Sequence, residues 1–188
     1  MARKNAALAR ERIVSLKSAR LAFDDPKLFW ISGALALILQ AAITFILWRV
    51  DSPLEILRHQ LSLSPAEFLV QRDNWGVEKC GFFLQHYWLD FLYPPVYAVF
   101  FRCLLTQIQL SYPTNYVFHA MAFPIAAAIY DEIENICQLP LMANWTESSF
   151  VFYAGAFGAY GKWLLLLAMF FVAIHALGKM YWERNFEP

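Results

Sequence analysis

The stretch that decides the fold runs from Pro124 to Gln138: P-I-A-A-A-I-Y-D-E-I-E-N-I-C-Q. It lies inside a segment, Tyr116 to Leu139, that is otherwise apolar enough to cross a bilayer. Asp131, Glu132, Glu134 and Asn135 fall where each buried charge costs roughly 2.5–3.5 kcal/mol on insertion scales. At helical spacing, Pro124, Ala127, Ala128, Asp131, Glu134, Asn135 and Gln138 share one broad face. Glu132 is turned about 100° away from Asp131 and faces another helix, with Gln40 or an outside subunit as its candidate partner. A span with such a face requires polar partners on its neighbours.

The rest of the chain supplies both the neighbours and the membrane. With 60% hydrophobic and 18% aromatic residues among 188, and a mean hydropathy of +0.42, the chain is too apolar for a soluble domain of its length. A helix needs about 20 apolar residues to span the hydrocarbon core. Four stretches qualify: Leu28 to Val50, Gly81 to Leu105, Tyr116 to Leu139 and Phe150 to Leu177. The predicted fold is therefore all-α, a polytopic bundle of four transmembrane helices. Residues 1–27 form a basic N-terminal segment, 28–178 the membrane domain with an outer interfacial loop at 51–80, and 179–188 a C-terminal tail.

Ten of the fifteen Lys and Arg residues fall on one side: seven before the first span, then Arg102, Lys179 and Arg184. The positive-inside rule puts both termini on the cytoplasmic side, or on the matrix or stromal side of an organelle. The start M-A-R-K-N-A-A-L-A-R-E-R leads into a run of full spanning length, so the first span is expected to be retained rather than cleaved. Leu8, Ile13, Leu16 and Leu21 among basic residues predict a helix on the inner surface, against a solvated tail. Fifteen basic and fifteen acidic residues cancel, so overall charge gives no reason to expect a nucleic-acid partner.

Asp24, Asp25 and Pro26 read as the cap and first turn of span one. In the outer loop, P-L-E-I-L-R-H-Q-L and S-P-A-E-F-L each open on Ser-Pro and carry apolar residues three or four apart, which predicts short interfacial helices. They read as either a plain interfacial loop or a lid over the polar patch. On span two, His86, Asp90, Tyr93 and Tyr97 align on one face. Pro94 and Pro95 have no N–H, so the carbonyls of Asp90 and Phe91 are freed beside the carboxylate. Span four presents Ala154, Gly158, Gly161 and Lys162 together, a small-residue seam that lets another helix come close. Lys162 lies about 18 Å from the outer end at 1.5 Å per residue, too deep to snorkel.

Asp90, Asp131 and Lys162 thus come to similar depths, with His86, Glu134 and Asn135 one turn nearer the outside. Four ionised acids (with Glu132) against one lysine would leave three uncompensated charges. Protonated carboxyls, a bound cation or entering water must compensate. Asp in span two, D-x-x-E-N in span three and Lys in span four resemble a pattern in uncharacterised bacterial four-helix integral membrane proteins. The resemblance covers the three C-terminal spans and supports the cluster without implying a reaction.

Three functional readings follow. In the first, the chain is a structural, assembly or accessory subunit in which Lys162 bridges Asp90 and Asp131 and fixes helix packing. In the second, the carboxylates and His86 handle protons or cations. In the third, His86, Asp90, Asp131 and Glu134 form an intramembrane enzyme or metal site, as in carboxylate metal bundles, although a central lysine repels a metal. There is no Gly-rich phosphate loop, G-x-S-x-G or C-x-x-C, so the reading leans away from an enzyme. Expected partners are the bilayer, with a bound lipid, and other membrane subunits or a second copy. The expected location is a bacterial inner membrane or an organellar membrane. Cys80 and Cys137 lie near outer helix ends, where an oxidising compartment would allow a disulfide, against the alternative of two free thiols.

Overall fold

The computed structural model describes residues 23–186, without the side chain of Phe186, so the surface helix read in residues 2–22 lies outside the described residues. Among the described residues the chain forms seven helices and no strand: α1 (Pro26–Leu47), α2 (Pro53–Gln60), α3 (Pro65–Asp90), α4 (Tyr93–Ser111), α5 (Asn115–Ala120), α6 (Phe123–Met142) and α7 (Ser149–Phe186). Helices α1 and α7 are long and apolar enough to cross a membrane, and α3 with α4 makes a third such span if the pair, bent by 46°, is taken as one.

Local chemistry sets the boundaries. The Asp25 carboxylate accepts from the Lys27 N–H at 2.8 Å, and Pro26 opens α1. Ser52 caps α2 and Ser64 caps α3, each accepting from the N–H three residues on, with proline in the first helical turn. Both helices expected between residues 51 and 80 are therefore present. The second, however, meets the following helix at a kink at Gly76, where the backbone leaves helical geometry with φ 69°, a conformation that L side chains rarely adopt.

Span two breaks where the prolines dictate. Helix α3 ends at Asp90 and α4 restarts at Tyr93, with proline in its first turn. The segment expected as a third span is likewise divided, into α5 and α6 at Met121–Ala122, and is not among the helices long and apolar enough to cross a membrane. There Pro124 cannot donate to the Ala120 carbonyl, and Arg102 donates to the carbonyl of Met121. Span four is longer than its apolar core: α7 runs on through the stretch read as a tail.

Helices α6 and α7 pack most extensively of any pair. The seam is Gly155, Gly158 and Gly161, one residue offset at its start from the Ala154 of the sequence reading. A Cβ on Gly158 would sit 2.7 Å from both the Glu134 nitrogen and the Tyr130 oxygen, and one on Gly161 would sit 2.7 Å from the Tyr130 ring. Opposite them, α1 packs against α3 and α4 and scarcely touches α7. The long outer faces of α1 and α7 stay apolar and uncovered, with Trp30, Leu37, Phe45, Leu164, Phe170 and Phe171 all exposed.

Candidate functional site

The D-x-x-E-N motif does on α6 what its spacing implies. Asp131, Glu134, Asn135 and Gln138 all face inward and all are buried. Across the glycine seam, Lys162 is only 6% exposed. Its Nζ lies 2.7 Å from Asp131 Oδ1 and 2.6 Å from Glu134 Oε2. The remaining carboxylate oxygens have their own donors. Tyr97 donates to Asp131 Oδ2 at 3.1 Å, and Gln138 Nε2 donates to Glu134 Oε1 at 3.2 Å.

This corrects the expected bridge. Lys162 joins Asp131 to Glu134, one turn apart on a single helix, and not Asp131 to Asp90. The reason is the seam: with glycine at 155, 158 and 161, α7 presses directly on α6, so the lysine emerges against both acids of the motif. Asp90 is held differently. Its carbonyl, freed by Pro94, accepts from Asn135 Nδ2 at 3.3 Å. The proline break and the D-x-x-E-N asparagine therefore complete each other.

The Asp90 carboxylate faces His86, with Oδ2 3.8 Å from Nε2, beyond hydrogen-bond distance. His86 Nδ1 bonds the Phe83 carbonyl. A carbonyl only accepts, so Nδ1 carries the proton, and Nε2 of the neutral ring is left as an acceptor. Among the described residues, no group of three His, Cys, Asp or Glu side chains is placed to hold a metal ion. His86, Asp90, Asp131 and Glu134, proposed as ligands, are instead divided between a lysine-centred pair and a histidine–aspartate pair.

The secondary residues fall around these two pairs. Gln40 does not reach Glu132 with its amide nitrogen but donates to Thr44 Oγ1 at 3.1 Å, and Glu132 is half-buried. Tyr93 stacks edge-on to Tyr97, with ring centroids 5.0 Å apart. Cys80, Cys103 and Cys137 are free thiols, and Cys80 Sγ lies 3.3 Å from the Arg72 carbonyl.

A cavity of about 560 Å³ opens where α1 and α7 fail to meet. His86, Asp90, Asp131 and Lys162 form its polar wall, and Gln40, Tyr93 and Tyr97 also line it. Helix α2 lines it through Pro53, Ile56, Leu57 and Gln60, so this short helix roofs the cluster.

That roof is anchored by residues the sequence reading passed over. His59 is fully buried, with its ring centroid 4.0 Å from Phe68 and 4.5 Å from Trp75, and its Nε2 3.3 Å from Met142 Sδ. Burial, with a smaller contribution from His86, pushes its pKa down from 6.5 to about 3. Nearby, Arg72 donates to the Leu141 carbonyl at 3.0 Å and pairs with Asp73 at 2.8 Å, fastening α3 to the C-terminal end of α6. Trp75 Nε1 donates to Asp51 Oδ2 at 2.9 Å. The single signal for this hub was a charged Arg72 inside an apolar-patterned segment.

Comparison of the chain with protein families, with curated proteins and with solved structures returns no match.

Proposed function

We propose that the chain is a four-span integral membrane protein acting as a structural, assembly or accessory subunit, with both termini on its basic-rich side. In this reading α1, the bent α3–α4 pair, α5 with α6, and α7 are the four spans. The membrane is a bacterial inner membrane or an organellar one, and the lipid-facing sides of α1 and α7 meet lipid, other subunits or a second copy. The observation that carries the reading is Lys162 Nζ at 2.7 and 2.6 Å from two buried carboxylates across a glycine seam. A cation held by two acids at closest helix approach specifies one packing of α6 on α7.

Removing one partner of a buried pair costs about 3 to 5 kcal/mol, because the other charge is stranded. Lys162→Met is therefore expected to lose most of its folded yield in mild detergent, while Asp90→Asn, outside the lysine pairs, keeps most of it. Size-exclusion profiles of the two variants check this. Parental yield and assembly for Lys162→Met would sink the reading. A second reading, proton or cation handling, draws support from the cavity, because Asp90, Asp131 and His86 line space large enough for water.

A further inference from the structure

The cavity has a polarity that the ion-paired lock does not use. Two acceptors on neighbouring residues stand along its polar wall. The Tyr97 hydroxyl is given to Asp131, the Asn135 amide to the Asp90 carbonyl, and the Lys162 ammonium sits on Asp131 and Glu134. His86 gives its Nδ1 proton to Phe83. The Asp90 carboxylate and His86 Nε2 remain, 3.8 Å apart, on residues that line the cavity. His86 is 1% exposed, and the hydrogen bond of its ring is that of Nδ1 with the Phe83 carbonyl.

Charge adds to this. Among the charged side chains of the lining, Asp51, Asp90 and Asp131 outnumber Lys162, so the wall favours a cation. Most of the remaining lining is apolar and aromatic, including Ile43, Leu47, Trp48, Trp163, Leu166 and Phe170, with Thr44 and Gln60 as polar exceptions. A volume of about 560 Å³ lies in the range of about 300–1,000 Å³ typical of small-molecule sites.

We propose that this cavity binds a cationic amphiphile, its protonated amine donating to Asp90 and to His86 Nε2 and its apolar body lying between α1 and α7. An ammonium supplies donors to both acceptors and a charge opposite to that of Asp90. A neutral alcohol supplies only the donor, and a fatty carboxylate would meet Asp90 with like charge. The site does not depend on the subunit reading, since Asp90 is outside the Lys162 pairs.

The test uses the full chain in an uncharged detergent, with dodecylammonium as probe and dodecanol and dodecanoate as tail-matched controls. Trp48 and Trp163 stand in the wall, so binding is read from tryptophan fluorescence and from the shift in thermal unfolding. Dodecylammonium is expected to saturate, at an affinity at least tenfold above either control. Two variants each lower that affinity at least tenfold: Asp90→Asn, which removes the charge, and Thr44→Trp, which fills the cavity from an exposed position on α1 and leaves every acid in place. If Asp90→Asn fails to fold, Thr44→Trp decides alone. Equal, unsaturable responses to all three probes would mean partition of the tail and overturn the proposal. So would dodecanol binding as tightly as the amine, or unchanged affinity in Thr44→Trp. Failure of Lys162→Met to fold bears on the subunit reading alone.

Discussion

The two sides of Lys162 are built on opposite principles. Toward α6, glycines at 155, 158 and 161 bring backbone against backbone and close two ion pairs. Toward α1, the helices stay apart and leave a cavity whose wall includes Trp48, Trp163 and Phe170. The same few polar side chains therefore fix one interface and furnish the wall of an open cleft. A buried cluster can serve both ends only if its charges are divided, and here Asp131 and Glu134 hold the lysine, while Asp90 and His86, outside those ion pairs, share the cavity wall with Asp131 and Lys162.

The largest expected effect comes from forcing the closed side open. Gly158→Leu puts a side chain where even a Cβ would lie 2.7 Å from backbone atoms of α6, which cannot swing aside. No folded protein is expected in detergent by size-exclusion chromatography, whereas Thr44→Leu on the cleft side should purify like the parent. Equal yields would erase the distinction between the two sides.

An intermediate effect is expected at the proline break. Asn135→Leu strands the buried Asp90 carbonyl, which should cost about 1 to 3 kcal/mol, the desolvation of an unsatisfied polar group. Denaturant unfolding of the variant measures it, and a change below about 0.5 kcal/mol, the range of surface substitutions, would show that the carbonyl has another donor.

The smallest effect concerns the roof. His59 is neutral in its aromatic cage, with a pKa of about 3 against 6.5 when free. The unfolded chain therefore binds a proton in this window and the folded chain does not. The contribution of His59 is fully present above pH 6.5 and declines as pH falls toward 3, approaching about 1.4 kcal/mol per pH unit. Thermal unfolding between pH 7 and pH 5 should show a falling Tm in the parent and a flatter profile in His59→Leu. Parallel profiles would remove His59 as the cause.

Much of this was legible in the sequence. Periodicity alone placed Asp131, Glu134, Asn135 and Gln138 on one face, because a buried charge is too costly to occur there without partners. The Ser-Pro signals marked α2 and the start of α3, and the missing N–H of Pro94 identified the carbonyl that Asn135 takes. What could not be read was which helix sits against which. Helical spacing gives the direction of a side chain about its own axis, not the rotation or separation of two axes, so Lys162 was assigned to Asp90 instead of Glu134. The cleft was hidden for a related reason, since a cavity is a failure of two distant helices to meet and leaves no local pattern. His59 and Arg72 read as interfacial residues of a loop, and their burial comes only from the folding of α2 and α3 onto the end of α6.

The division of charges itself is tested most directly by two double-mutant cycles, Lys162→Met with Glu134→Gln and Lys162→Met with Asp90→Asn, each read as unfolding free energy in the same detergent. Contacting residues in one network couple by about 0.5 to 3 kcal/mol. The Lys162–Glu134 coupling is expected to exceed the Lys162–Asp90 coupling by at least about 1 kcal/mol, within that range. Equal couplings, or a larger one to Asp90, would contradict the account.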